Sequence, residues 1–205
     1  HWKQAWQHLA QPAPADLFDA LISAWSEPWR HYHALQHLGE CLDALARERS
    51  QARRPGEIAV ALFFHDAVYE LQASDNEARS ADWADRALTQ ARVPAEVVAR
   101  VHALIMATCH DAAPTEPDAQ LLVDIDLAIL GQRDAVYRQF ERNVRREYFF
   151  VRWPRYVAGR GAVLRGFLSR PRIYGTAWFH DRYEAQARTN LGHAVAALGS
   201  GKLYA

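Results

Sequence analysis

The residues best suited to chemistry sit at the end of an apolar run. Residues 59–69 read Ala-Val-Ala-Leu-Phe-Phe-His-Asp-Ala-Val-Tyr, so six apolar side chains lead directly into His65 and Asp66. A helix that is apolar on every side is a buried helix, and this one carries an imidazole and a carboxylate into the interior. Taking an unpaired carboxylate out of water costs on the order of several kcal/mol, so Asp66 needs a partner there. A cation is the simplest one. His37 lies upstream, and Asp124 and Asp126 are embedded in a second apolar run, residues 121–131. The candidate metal set is therefore His37, His65, Asp66 and one of Asp124 or Asp126, drawn from three helices. Imidazole nitrogen and carboxylate oxygen without thiolate suit a divalent ion such as Mn, Zn, Fe, Co, Ni or Mg. The competing reading of each histidine alone is a satisfied core residue. What favours a metal is the coincidence of a His-Asp pair, a helix with paired histidines and two embedded aspartates.

Those side chains need helices to carry them. Trp2, Ala5, Trp6 and Leu9 recur at helical spacing until Pro12 and Pro14 intervene, and Asp16 opens a second helix with Leu17, Phe18, Leu21, Ile22 and Trp25 on its inner stripe. A third helix runs from Tyr32 to about Ala46 with Leu35, Leu38, Leu42 and Leu45 inward, and it places His33 and His37 on one face. A basic loop then leads into the His-Asp helix. Ser74-Asp75-Asn76-Glu77 has the form of a capping box opening the next helix, Pro94 suits the first position of another, and Gly131 suits a helix stop. Three further helices are expected over about 133–150, 154–168 and 176–198. With no alternating β-branched stretch and no internal repeat, the expected fold is all-α, a single domain over 1–205.

Composition narrows the partners. The 24 Lys and Arg balance 24 Asp and Glu, which argues against a dedicated nucleic-acid or membrane-surface protein and favours small ligands or protein partners. Two cysteines, Cys41 and Cys109, cannot make a disulfide framework and point to a reducing, cytoplasmic setting. No apolar run reaches the roughly 20 residues of a spanning helix, and the start His1-Trp2-Lys3-Gln4 has no signal-peptide core.

The pattern of His37, then His65-Asp66, then a distant Asp126 resembles the HD-domain superfamily of metal-dependent phosphohydrolases. The segments Arg30-His31-Tyr32-His33, Phe64 through Tyr69, Asp75-Asn76-Glu77, Asp124 through Gly131, Tyr156, Gly159-Arg160 and Ala187 through Leu191 are similar to a bacterial family of predicted metal-dependent HD phosphohydrolases, over about residues 29–191. The resemblance implies an HD-domain-like helical bundle with core motifs in 29–131 and C-terminal helices in 133–198. It implies hydrolysis of a phosphate ester of a small molecule, nucleotides included, through a metal-activated water, with one or two metal ions per chain. By the same resemblance His37, His65, Asp66 and Asp126 are the ligands, and the stretch Tyr32 through His37, which resembles the corresponding motif of cyclic nucleotide phosphodiesterases, makes His33 the general-acid candidate.

Asp124 then becomes a residue orienting a ligand histidine, or a helix cap. His110 becomes an added ligand of a two-metal site, with a helix end as its plain alternative. His102 lies in the same interval. Glu70 and Glu77 are candidates for water activation, Glu77 competing with its capping-box role. Among the nine arginines between 142 and 172, most read as solvated helix faces. Arg160, like Arg30 upstream, belongs to the resembling segments and is a candidate phosphate-binding fork. Two other readings fit the same letters: an HD-fold di-iron oxygenase, which requires additional histidine ligands, and a non-catalytic helical module binding metal or nucleotide.

Overall fold

The helix that leads into His65 and Asp66, which lie on the turn just past its end, is the best-covered element of the chain. In the computed structural model, which describes residues 1–205, it is α4, Pro55–Phe64, following α1 (Trp2–His8), α2 (Ala15–Trp25) and α3 (Leu35–Arg47). Then come α5 (Asn76–Gln90), α6 (Ala95–Met106), α7 (Pro117–Asp126), α8 (Asp134–Glu147), α9 (Trp153–Ser169) and α10 (Ala177–Gly199). The structure contains no strand, so the fold is all-α, and no helix is long and apolar enough to cross a membrane. The chain forms two compact units, His1–Ile125 and Asp126–Ala205.

In the first unit α4 packs against α1, α3, α5 and α6, and nine of its ten residues are buried. Helix α1 comes close because residue 56 has no side chain. A Cβ there would stand 2.4 Å from Cβ of His8 and 3.1 Å from the carbonyl of Ala5. The one acid in α4, Glu57, is buried and accepts two bonds from Arg100 of α6, at 2.8 and 2.7 Å, which compensates its desolvation. The start of α7 is tied to the approach of α4 because Asp118 accepts from the backbone N–H groups of Arg53 and Arg54.

Three details differ from the sequence expectations. Helix α3 begins at Leu35, after an extended Ala34, so His33 stands on the preceding turn, and Leu35 is exposed rather than inward. The capping box at α5 is not made. The side chain of Asp75 caps nothing, and Asn76 instead bonds the backbone of Glu70 in both directions, at 3.0 and 2.9 Å. Pro94 is the residue before α6 rather than its first, where its fixed φ still suits the turn into the helix.

In the second unit the residues after α7 tighten into a 3-10 turn, Leu127–Gly131, held against α10. Asn190 donates to the carbonyls of Leu130 and Gln132, both at 2.8 Å, and the Tyr174 hydroxyl donates to that of Leu127 at 3.0 Å. The turn ends at Gly131, the expected stop, and a second constraint acts on the same residue. A Cβ at 131 would lie 2.5 Å from Cβ of Tyr183 and 2.8 Å from its carbonyl oxygen. Glu184 of α10 accepts from the N–H groups of Ile173 and Tyr174, and Arg188 caps the carbonyls of Leu168, Arg170 and Pro171. The Ala187–Leu191 segment thus shapes the turn between α9 and α10.

Candidate metal centre

Helix α4 ends at the candidate centre, and its free carbonyls decide how its last side chains point. The final carbonyls of a helix lack intrahelical donors. Here the indole N–H of Trp25 donates to the Phe63 carbonyl at 2.9 Å, and Nδ1 of His65 lies 2.9 Å from the carbonyl of Leu62. A carbonyl only accepts, so Nδ1 of His65 carries the proton and Nε2 is left with its lone pair. Past the helix, Arg30 donates to the carbonyls of Asp66 and Ala67, at 2.6 and 3.0 Å, and to that of His33 at 3.2 Å. Its Nε meets Glu27 at 2.8 Å.

The lone pair on His65 Nε2 faces Nε2 of His37 at 3.3 Å and Oδ2 of Asp66 at 3.2 Å, with His37 Nε2 and that oxygen 4.0 Å apart. Asp126, the last residue of α7, adds a carboxylate: one ligand atom each from His37, His65 and Asp126 lie within 4.8 Å of one another. Both histidines are buried. Two buried imidazoles with two half-buried carboxylates beside them form a donor set that fits a divalent cation. Asp124 is also buried and lies about 200° from Asp126 around the same helix.

Aromatic rings wall the centre. The ring of Trp25 lies 5.3 Å from that of His65, Tyr32 lies 4.8 Å from His37, and His33 stacks on Tyr69 at 4.3 Å. His33 is 6.1 Å from His37 between ring centroids, close despite standing outside α3. Cys41, one turn after His37, has its sulfur 3.7 Å from that ring's Nδ1. Trp25, Tyr32, Tyr69 and Cys41 were not named as site residues from sequence. Trp25 sat in an ordinary apolar stripe, and only its spare indole N–H, which must find an acceptor when buried, set it apart.

The other candidates fall as follows. Glu77 is half-buried at the start of α5. Burial pushes its carboxyl up, its own backbone N–H pulls it down, Asp66 pushes it further up, and His110 and His65 draw it down, so it shares a field with the centre. His110 follows the 3-10 turn Ala107–Cys109 with a left-handed backbone, φ 59° and ψ 18°, an uncommon conformation for a residue with a side chain. Glu70 is exposed and ion-paired with Arg79 at 2.7 Å, which holds its carboxyl below the usual range. His102 pairs with Asp85 at 2.9 Å and, with Asp82, makes a second and more exposed group. The guanidinium of Arg30 is spent on protein acceptors. That of Arg160 grips Glu141 through two bonds, at 2.7 and 3.2 Å. Compared with protein-family models, with curated proteins and with solved structures, the chain matches none.

Proposed function

We propose that this chain is a metal-dependent phosphohydrolase with an HD-domain-like fold, acting in the cytoplasm on a phosphate ester of a small molecule, with nucleotides the first class to try. The observation that carries the reading is the convergence of His37, His65 and Asp126, with Asp66 alongside, on one buried point. His37, His65, Asp66 and Asp126 would hold a divalent ion, which when bound would supply Lewis acidity for activating water and for offsetting charge on the phosphoryl group.

The chain's own residues supply the remainder. His65 is held in the tautomer that offers Nε2, because its other nitrogen is committed to Leu62. His33, whose ring stacks on Tyr69, would give a proton to the leaving oxygen. Glu77, its carboxyl raised by burial, is the acceptor for a proton lost from water. The rings of Trp25 and Tyr32 keep bulk solvent from the two histidines.

The test is elemental analysis of the purified protein, with turnover on a panel of nucleotides and phosphate monoesters in Mn, Co, Ni, Zn or Mg. One or two equivalents of metal are expected. His65→Ala, Asp66→Ala and Asp126→Asn should each lose metal and at least about 100-fold in rate. Equal turnover in the variants removes the proposal. Retained metal with no turnover on any ester would leave a metal-binding module instead.

A further inference from the structure

The charge balance of the whole chain conceals an asymmetry. Residues 1–125 carry 10 Lys and Arg against 18 Asp and Glu, net −8, whereas residues 126–205 carry 14 against 6, net +8. Within the second unit the segregation sharpens. From Tyr148 to His180 there are six arginines and no acidic residue, and the two glutamates just before, Glu141 and Glu147, are each 1% exposed. The surface there is positive.

At its most basic end the α8–α9 connection holds hydrophobic side chains out in water. Phe149 is 74% exposed and Phe150 is 42% exposed. A loop free to move would turn such rings inward, but this one is braced. Nη1 of Arg145 donates to the carbonyls of both Tyr148 and Val151, while its guanidinium lies over the rings of Tyr156 and Trp153, at 4.7 and 5.7 Å. Within six residues of the rings in the chain are Arg146, Arg152 and Arg155, all exposed and none engaged in an ion pair. Exposed apolar patches on otherwise well-packed proteins mark contact sites.

We infer that the Phe149–Phe150 tip, with Arg146, Arg152 and Arg155, is a docking surface for an anionic lipid bilayer. The chemistry favours a bilayer over a nucleic acid. The tip offers guanidiniums and apolar side chains but no exposed amide or hydroxyl with which to read a base. Its two exposed rings stand at 86° to each other, so they form no common stacking platform. Phenyl rings entering the acyl boundary while arginines hold the phosphates is the arrangement of an interfacial anchor. The inference is independent of the metal centre.

The full chain should be sedimented with vesicles of phosphatidylcholine alone and of phosphatidylcholine with phosphatidylglycerol, at low and high salt. Binding is expected only to the anionic vesicles and should weaken with salt. Phe149→Ser/Phe150→Ser should weaken it at least about tenfold. Arg152→Gln/Arg155→Gln should do the same, since each arginine near a charged surface contributes about fivefold. Because all four side chains lie outside the core, circular dichroism and metal content should stay as in the parent. No binding, equal binding to neutral vesicles, or binding indifferent to both variants overturns the inference. So does tighter binding to a single-stranded oligonucleotide that the same variants abolish.

Discussion

At the scale of single residues, the candidate centre depends on groups outside the proposed ligand set. His65 offers Nε2 only because Leu62 holds Nδ1, and Asp66 stands beside it only because the peptide that follows is clamped by Arg30. That guanidinium bridges the turn bearing His33 to the turn bearing Asp66, using a planar fork that an ammonium group cannot reproduce. Arg30→Lys should therefore destabilise the fold by about 2–3 kcal/mol in urea unfolding. It should also lower metal retention against a chelator, although residue 30 contacts no metal. Unchanged retention in a folded Arg30→Lys protein would show that the clamp does not position Asp66.

At the scale of elements, close approach and buried ion pairs set the second unit. Gly131→Ala would force a methyl group into the backbone of α10 at Tyr183, and a loss of about 1–3 kcal/mol is expected by calorimetry. The network of Tyr137, Glu141 and Arg160 offers a second test. The Tyr137 hydroxyl donates to Glu141 at 2.7 Å, and Arg160 neutralises the same carboxylate. Arg160→Met strands a buried charge and should cost about 3–5 kcal/mol, with KM for any substrate unchanged. A raised KM in a fully stable Arg160→Met protein would restore the phosphate-binding role considered from the sequence.

At the scale of the whole molecule, stability against pH follows from buried phenols. Burial, first of all, pushes Tyr156 up from 10.0 to about 12, and burial pushes Tyr137 up as well. A phenol with a raised pKa keeps its proton in the folded state after the unfolded chain has lost it. Its contribution is thus complete below about pH 10 and is lost as pH rises toward 12. Chemical-denaturation midpoints should fall over that interval, and Tyr156→Phe should flatten the fall. The opposite charges of the two units add a second global property: nonspecific adsorption should follow the local sign of charge rather than the neutral total.

Sequence alone determined the all-α class and assembled the candidate set of His37, His65, Asp66 and one of Asp124 or Asp126, because an apolar run ending in His65-Asp66 can satisfy its charge in few ways and because helical periodicity is a local property. The windows expected for the last three helices lie close to α8, α9 and α10 for the same reason. What only the tertiary structure decided depends on partners distant in the chain. It committed Arg30 to the Asp66 turn and Arg160 to Glu141, and it placed Trp25 against the end of α4. It made Gly131, where the turn after α7 does end, a close contact as well as a stop, since no local pattern reveals that Tyr183 lies on the other side. It also left the expected capping box at α5 unmade and tied Asn76 to Glu70, because a side chain bonds whichever backbone groups the fold brings within about 3 Å.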